Sequence, residues 1–268
     1  MNRSPITTAG SLLLETRGLT KRFGGFTALN DLWLQVRPGA IHAIIGPNGA
    51  GKTTCFNLLN GMLPADGGEV FWKGEPITGS RPDRIARLGV ARTFQNIRLF
   101  GEMTVLENVM VGRHCRSRGG LFSLVGKLPF VPMGSEREIR RRAEEIIESL
   151  ELSWVRDEPA SRLPYGAQRR VEMARALALE PELLLLDEPS AGMNPAETDE
   201  IRKLIADLSQ RELTILLIEH KMTVVMAISH TVTVLNFGET IAEGPPQKVQ
   251  RDPVVLEAYL GRDDDAHP

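Results

Sequence analysis

The chain has 268 residues, 42% of them hydrophobic, and 34 acidic against 32 basic side chains leave a net charge of −2. That is enough for one large α/β domain or two small ones with a sizeable core, and the charge balance gives no electrostatic case for nucleic acid as the main partner. No apolar run approaches the roughly 18 residues of a membrane span, and Met1-Asn2-Arg3-Ser4-Pro5-Ile6 lacks the apolar stretch of a signal peptide, so work at a membrane would need other subunits to hold the chain there.

Residues 12–15 and 32–36 read as strands, the second alternating with period two. Between them, Lys21-Arg22-Phe23-Gly24-Gly25 sets an aromatic beside two glycines. Phe23 is a candidate platform for a purine ring, though core or hairpin packing explains it as well. The apolar run 40–45 then leads into Gly46-Pro47-Asn48-Gly49-Ala50-Gly51-Lys52-Thr53-Thr54, and a helical pattern follows over 54–59. This is the strand–loop–helix setting of a phosphate-binding loop. Its glycines let successive backbone N–H groups curl round an anion, and the helix N-terminus adds partial positive charge. Lys52 would reach the β- and γ-phosphates and the Thr53 hydroxyl would bind Mg²⁺. A glycine-rich turn that merely opens a helix is the plain alternative, but the motif arises by chance in on the order of one in a hundred chains this long. Cys55, in that helix, and Cys115 belong to no CxxC pair or ligand cluster, which fits a reduced cytosolic setting.

Gly67-Gly68 turns the chain into a strand over 69–72, and residues 82–88 read as a short helix with Pro82 in its first turn. Residues 90–94 read as a buried strand ending at Gln95, whose amide would bind Mg²⁺ or the attacking water, or simply cap the strand. Residues 113–134 read as an irregular insertion, in which Arg113, Arg116 and Arg118 form a solvated loop or touch lipid head groups. Ser135 and Glu138 form the pattern of a capping box. The helix it opens carries Ile139, Ala143, Ile146, Ile147 and Leu150 on one face, and Arg140, Arg141, Arg142 and Glu144 on a solvated one.

Residues 163–168 break the chain before a helix over 169–179. Four leucines, 183–186, make a fully buried strand in the parallel-sheet style and run into Asp187-Glu188. The carboxyl end of a central strand is where open α/β sheets place ligands. Asp187 there would hold Mg²⁺, and Glu188 would polarise the water that attacks a γ-phosphate. A turn over 190–195 enters a helix over 196–209, and a second buried strand, 214–218, ends at Glu219-His220. His220 can reach the same edge as Asp187, whereas His42, His114, His230 and His267 read as structural. Residues 231–237 and 239–242 form a hairpin around Gly238, and the acidic tail from Arg262 reads as disordered.

In this order and spacing the pieces resemble the ATPase subunit of ATP-binding-cassette transporters, over roughly residues 12–261. The resemblance implies a P-loop NTPase (RecA-like) α/β core with an N-terminal antiparallel β portion and an inserted helical subdomain at about 97–178. The cassette domain would span 12–262 between tails at 1–11 and 263–268. It also implies roles: Phe23 stacks on adenine, residues 46–54 form the Walker A loop, and Gln95 is the Q-loop glutamine. Asp187 and Glu188 become the Walker B aspartate and catalytic glutamate, His220 the switch histidine, and Asn194 a D-loop position where aspartate is common. Leu163-Pro164-Tyr165-Gly166-Ala167-Gln168 matches the signature loop, which touches a partner's ATP, but departs from the family's Leu-Ser-Gly-Gly-Gln. Pro164 replaces a serine donor and lacks an N–H, Tyr165 replaces a glycine, and Ala167 stands where glutamine is usual.

Ala91-Arg92-Thr93-Phe94-Gln95-Asn96-Ile97-Arg98-Leu99-Phe100, Leu163-Pro164-Tyr165-Gly166, Ala191-Gly192-Met193-Asn194-Pro195 and the insertion resemble the branched-chain amino acid importer subgroup, in particular the longer of its two ATPases. This implies ATP and Mg²⁺, a head-to-tail dimer with a second, different ATPase or with a second copy of this chain, two polytopic permease subunits, and indirectly a periplasmic binding protein. The setting implied is peripheral, on the cytoplasmic face of the inner membrane. Urea and amide importers and the lipopolysaccharide-export ATPase share much of the pattern; the export ATPase is usually shorter through the insertion. A soluble cassette ATPase of translation or DNA repair usually carries two cassettes or a coiled-coil insertion, and this chain has neither. A kinase or GTPase leaves the signature loop, Glu188 and His220 unexplained, and the chain has no Asn-Lys-x-Asp guanine motif.

Overall fold

The structure is a computed structural model that describes residues 12–114 and 133–260. The expected tails and most of the insertion, with Arg116 and Arg118, lie outside the described residues.

Strands β3 (Ile41–Ile45), β7 (Leu183–Asp187) and β8 (Thr214–Ile218) are buried at every position. They sit in a six-stranded sheet of order β10-β9-β3-β8-β7-β6, with β6 at Val90–Arg92, β9 at Thr231–Asn236 and β10 at Glu239–Gly244. All neighbours pair in parallel except β9 with β10. Side chains alternate across the pleat. Leu183, Leu185, Leu216 and Ile218 therefore join one apolar cluster, while Leu184, Leu186, Ile215 and Leu217 join another on the opposite face. That double burial is why these strands read as unbroken apolar runs; each such side chain contributes roughly 1.5–3 kcal/mol.

A four-stranded antiparallel sheet, β2-β1-β4-β5, covers the first face, with β1 at Leu14–Phe23, β2 at Phe26–Val36, β4 at Gly67–Trp72 and β5 at Glu75–Pro76. Strand β1 is longer than the expected 12–15 stretch. The polar Thr16-Arg17-Gly18 interrupts the apolar pattern but not the strand: Thr16 Oγ1 donates to Leu32 O and accepts from Leu34 N, both at 2.9 Å, and the register shifts there as a bulge.

Helix α1 is Lys52–Leu59 and α2 is Pro82–Arg87. Helices α3 (Val105–His114), α4 (Met133–Ser149) and α5 (Tyr165–Leu177) share a cluster containing Val105, Val109, Ala143, Ile147, Leu150, Val171 and Ala174. Helices α6 (Pro195–Gln210) and α7 (Met222–Ile228) cover the second face of the sheet, and α8 (Pro246–Val249) and α9 (Pro253–Leu260) follow the last strand.

Two helix starts differ from expectation. Helix α4 begins at Met133, so Ser135 lies inside it and not at its cap. Glu138 instead bonds Arg141 and Arg142, the i, i+3 and i, i+4 pairings that the same letters also make mid-helix. Helix α5 begins at Tyr165, so residues 165–168 are its first turn. Pro164 is the N-cap, where its missing N–H costs nothing, and its carbonyl accepts from Gln168 N at 3.0 Å. Arg113, expected in the irregular insertion, belongs to α3 and pairs with Glu180 at 2.7 Å.

Candidate functional site

The loop after β3 is shaped by glycines that tolerate no side chain. A Cβ at Gly46 would collide with the Leu235 carbonyl oxygen, and Gly51, at φ +101°, has the Ala28 carbonyl against the same position. Strand β2 and the β9–β10 turn thus brace the loop from two sides, and Gly238 N donates to Ala50 O at 3.1 Å. Lys52 is buried, with Nζ donating to Gly46 O at 2.7 Å and Pro47 O at 2.9 Å. The loop therefore curls over its own lysine; Asn48, Gly49 and Thr53 are exposed and Thr54 half-buried. Behind it, burial pushes the Cys55 thiol up to about 12, so it is a packing residue and not a nucleophile. Phe23, at the end of β1, is exposed, and the Lys21 ammonium lies 5.5 Å from its ring centroid.

Strands β3, β8, β7 and β6 are adjacent and parallel, so the residues after their carboxyl ends line one sheet edge. There Glu188 accepts two hydrogen bonds, one per oxygen: Gln95 Nε2 donates to Oε2 at 3.1 Å, and His220 Nε2 lies 2.7 Å from Oε1. Glu188 occupies left-handed backbone space at φ +49°, which costs a non-glycine residue about 1 kcal/mol or more. Bonds from Glu188 N to Ile218 O at 2.9 Å and from Ala191 N to Glu188 O at 3.1 Å hold it there. Three residues 93 and 32 positions from each other along the chain are thus brought together as the sequence suggested.

Asp187 is 1% exposed and pairs with Arg92, Nη2 to Oδ2, at 2.8 Å. Burial pushes its carboxyl above the usual range, outweighing the pull of Arg92. Its second oxygen, Oδ1, is buried with no hydrogen-bond partner. An unpaired carboxylate oxygen is a hard donor of the kind that suits a hard cation completed by phosphate and water oxygens, and the Thr53 hydroxyl belongs to an exposed residue of the loop. Among the described residues there is no group of three or more His, Cys, Asp or Glu that would hold a metal by protein ligands alone.

The six residues 163–168 divide by role. Leu163 is in the helical cluster and Gln168 Nε2 donates back to its carbonyl at 2.8 Å, so both serve the fold. Pro164 and Tyr165 are exposed. Tyr165 lies over Gly192, where an added Cβ would sit 3.5 Å from its ring, and Gly166 and Ala167 are half-buried. Asn194 spends its side chain as the cap of α6, accepting from Glu197 N at 3.0 Å, while Glu197 returns the bond to Asn194 N. His42 and His230 are structural, bonding Thr233 and Ile41 N.

Sequence reasoning missed several residues that build this edge. Arg92 also donates to Asn57 at 2.7 Å, tying β6 to α1. Ser190 donates to the buried Glu219, which also accepts from His220 N at 2.8 Å. Lys221 Nζ donates to Ser190 O and Met193 O at 3.0 Å and to Thr198 Oγ1 at 2.7 Å, pinning the turn before α6. Charged letters beside a strand end read as solvent-facing, and only their position next to Asp187 and His220 hints at more. Arg169 and Glu172, buried in α5, carry no signal in the sequence beyond lying within the expected helix.

Comparison with known proteins adds to this geometry. Residues 29–191 match the family model described as "ABC transporter", and residues 239–265 match "Branched-chain amino acid ATP-binding cassette transporter". The chain is 46% identical over 250 residues to the high-affinity branched-chain amino acid transport ATP-binding protein LivG of Escherichia coli K12, covering 93% of this chain and 98% of that protein. It is 45% identical, with the same coverage, to the corresponding BraF of Pseudomonas aeruginosa. Among solved structures, the ADP conformation of MJ1267, an ATP-binding cassette of an ABC transporter, superposes with a TM-score of 0.82 at 37% identity, over 93% of this chain and 99% of that one. A dimeric post-hydrolysis state of the cassette MJ0796, bound to ADP and Pi, gives 0.73 at 25% identity over 87% and 98%.

Proposed function

Because the chain belongs to the ABC transporter ATPase family, we propose that it is the ATP-hydrolysing subunit of an importer for branched-chain amino acids. The family makes it an ATPase of a transport system that works with membrane components and dimerises. The LivG and BraF relatives, and the match at residues 239–265, support the substrate class. Among the described residues no helix is long and apolar enough to cross a membrane. Two polytopic permeases would therefore hold the chain at the cytoplasmic face of the inner membrane, supplied by a periplasmic binding protein. A second ATPase would complete a head-to-tail dimer, and residues 97–178 would form the helical subdomain that meets the membrane partners.

The observation that carries the catalytic reading is Glu188, bonded on one oxygen by Gln95 and on the other by His220. Residues 46–54 bind the phosphates, with Lys52 turning from loop carbonyls to phosphate oxygens, and Phe23 stacks on adenine. Thr53, Gln95 and Asp187 would hold Mg²⁺, which when bound neutralises phosphate charge. Glu188 takes the proton of the attacking water, while Gln95 and His220 fix its carboxylate in line. Pro164, Tyr165, Gly166 and Ala167 face the partner's nucleotide, and Asn194 sits at the dimer seam.

The test is affinity purification of the tagged chain from detergent-solubilised membranes, with every co-purifying subunit identified. Two polytopic proteins plus a second, shorter ATPase, and ATPase activity stimulated by leucine-loaded binding protein, are the expected outcome. A β-rich periplasmic bridge would assign the chain to lipopolysaccharide export, and the absence of any membrane partner would overturn the transport reading.

A further inference from the structure

Arg169 and Glu172 lie one turn apart on α5 and form an ion pair at 3.0 Å, with side chains only 3% and 1% exposed. What they hold is backbone. Arg169 Nη1 donates to Phe94 O at 2.6 Å, its Nη2 donates to Gln95 O, and Glu172 Oε1 accepts from Phe94 N at 3.3 Å. The same Nη2 reaches the Tyr165 hydroxyl at 3.3 Å, and the guanidinium carbon lies 5.7 Å from the Tyr165 ring centroid. One side chain thus joins the segment bearing Gln95, whose amide donates to Glu188, to the exposed first turn of α5.

Stability alone accounts poorly for this pair. Desolvating two charges offsets most of their attraction, and two apolar side chains would pack the same volume. Arg169 Nε is buried with no partner, a further cost that an apolar residue would not carry. The gain is geometric. Strand β6 ends at Arg92, Thr93 N makes one last ladder bond to Leu185 O, and Phe94 and Gln95 then leave the sheet. Beyond that point the fork of Arg169 and the carboxylate of Glu172 replace the ladder.

We infer that Arg169 and Glu172 are a positioning pair for hydrolysis: they set the backbone at Phe94–Gln95 so that the Gln95 amide meets Glu188, and they make that placement depend on the Tyr165 end of α5. The inference rests on the assignment of Gln95 and Glu188 to the reaction. Through this pair, a shift of the turn that faces the partner's nucleotide moves the glutamine of the chain's own site.

The test is steady-state ATPase kinetics on the full chain purified with its transporter partners. Removing one partner would strand a buried charge, so the main variant is Arg169→Met with Glu172→Met, which keeps volume and charge balance. It folds with a lowered thermal midpoint, because Phe94 and Gln95 lose backbone partners, and its ATP Kd stays near native, while kcat falls about tenfold or more with KM changed less than about threefold. Gln95→Ala lowers kcat in the native chain but changes it less than about twofold in the double-methionine chain, because a misplaced glutamine has little left to lose. Arg169→Lys keeps the charge and loses the fork; it lowers kcat in a chain whose ion pair survives, and so serves if the double variant does not fold. Native turnover in these variants, or an undiminished Gln95→Ala effect in the double-methionine chain, overturns the pair's role and leaves Gln95 in place. An unchanged kcat for Gln95→Ala in the native chain overturns both.

Discussion

Arg92 and Asp187 meet at 2.8 Å at the shared edge of β6 and β7, with side chains 6% and 1% exposed. The pair has two consequences. It pulls the Asp187 carboxyl back toward the usual carboxylate range against the upward push of burial, which still prevails, and it occupies Oδ2 while Oδ1 stays buried without a hydrogen-bond partner. Arg92 also spans Phe56 and Phe94, its guanidinium carbon 5.4 and 5.2 Å from their ring centroids. Replacing it with methionine keeps much of that packing but strands the carboxylate, so Arg92→Met is expected to cost about 3 kcal/mol in urea unfolding. Adding Asp187→Asn should recover a large part of that loss; no recovery would place the cost in the Asn57 bond instead.

Glu188→Gln keeps the shape of the residue and removes the base. Its kcat is expected to fall about 10³-fold with ATP Kd within about twofold of native, measured by phosphate release and by nucleotide titration. Undiminished hydrolysis would remove Glu188 from that role.

Lys52→Ala deletes the ammonium that the loop now wraps. A charge-assisted bond is worth about 1.5–3 kcal/mol, so ATP affinity is expected to fall by a factor of about ten or more in equilibrium titration. Native affinity would contradict phosphate binding by residues 46–54.

Burial lowers His42 from 6.5 to about 4, against the hydrogen bond it makes to the Gln35 backbone. A base whose folded value lies below its unfolded one binds more protons when unfolded, so stability is lost as pH falls from about 6.5 toward 4. The integrated loss approaches about 3 kcal/mol. His42→Asn, which cannot titrate, is expected to show a shallower decline in urea midpoint over that window, and parallel curves would refute the assignment.

The buried parallel strands, the glycine-rich loop and the residues gathered at one sheet edge are legible in the order of the amino acids alone. Full burial writes itself as uninterrupted apolar runs such as Leu183-Leu184-Leu185-Leu186, and chain order then puts Asp187, Glu188 and His220 at the ends of neighbouring strands. Local chemistry was less legible where one pattern suits two structures. Ser135 with Glu138 serves a helix start or a helix interior, and Thr16-Arg17-Gly18 resembles a break but forms a bulge inside β1. Which charges are buried, and what they hold, emerges in the folded chain alone. Arg92 finds Asp187 across 95 positions, and Arg169 finds Phe94 across 75. Hydrophobic periodicity records which face of an element is buried, but a charged side chain is buried only when a distant backbone or carboxylate supplies its hydrogen bonds, and that supply exists only once the chain has folded.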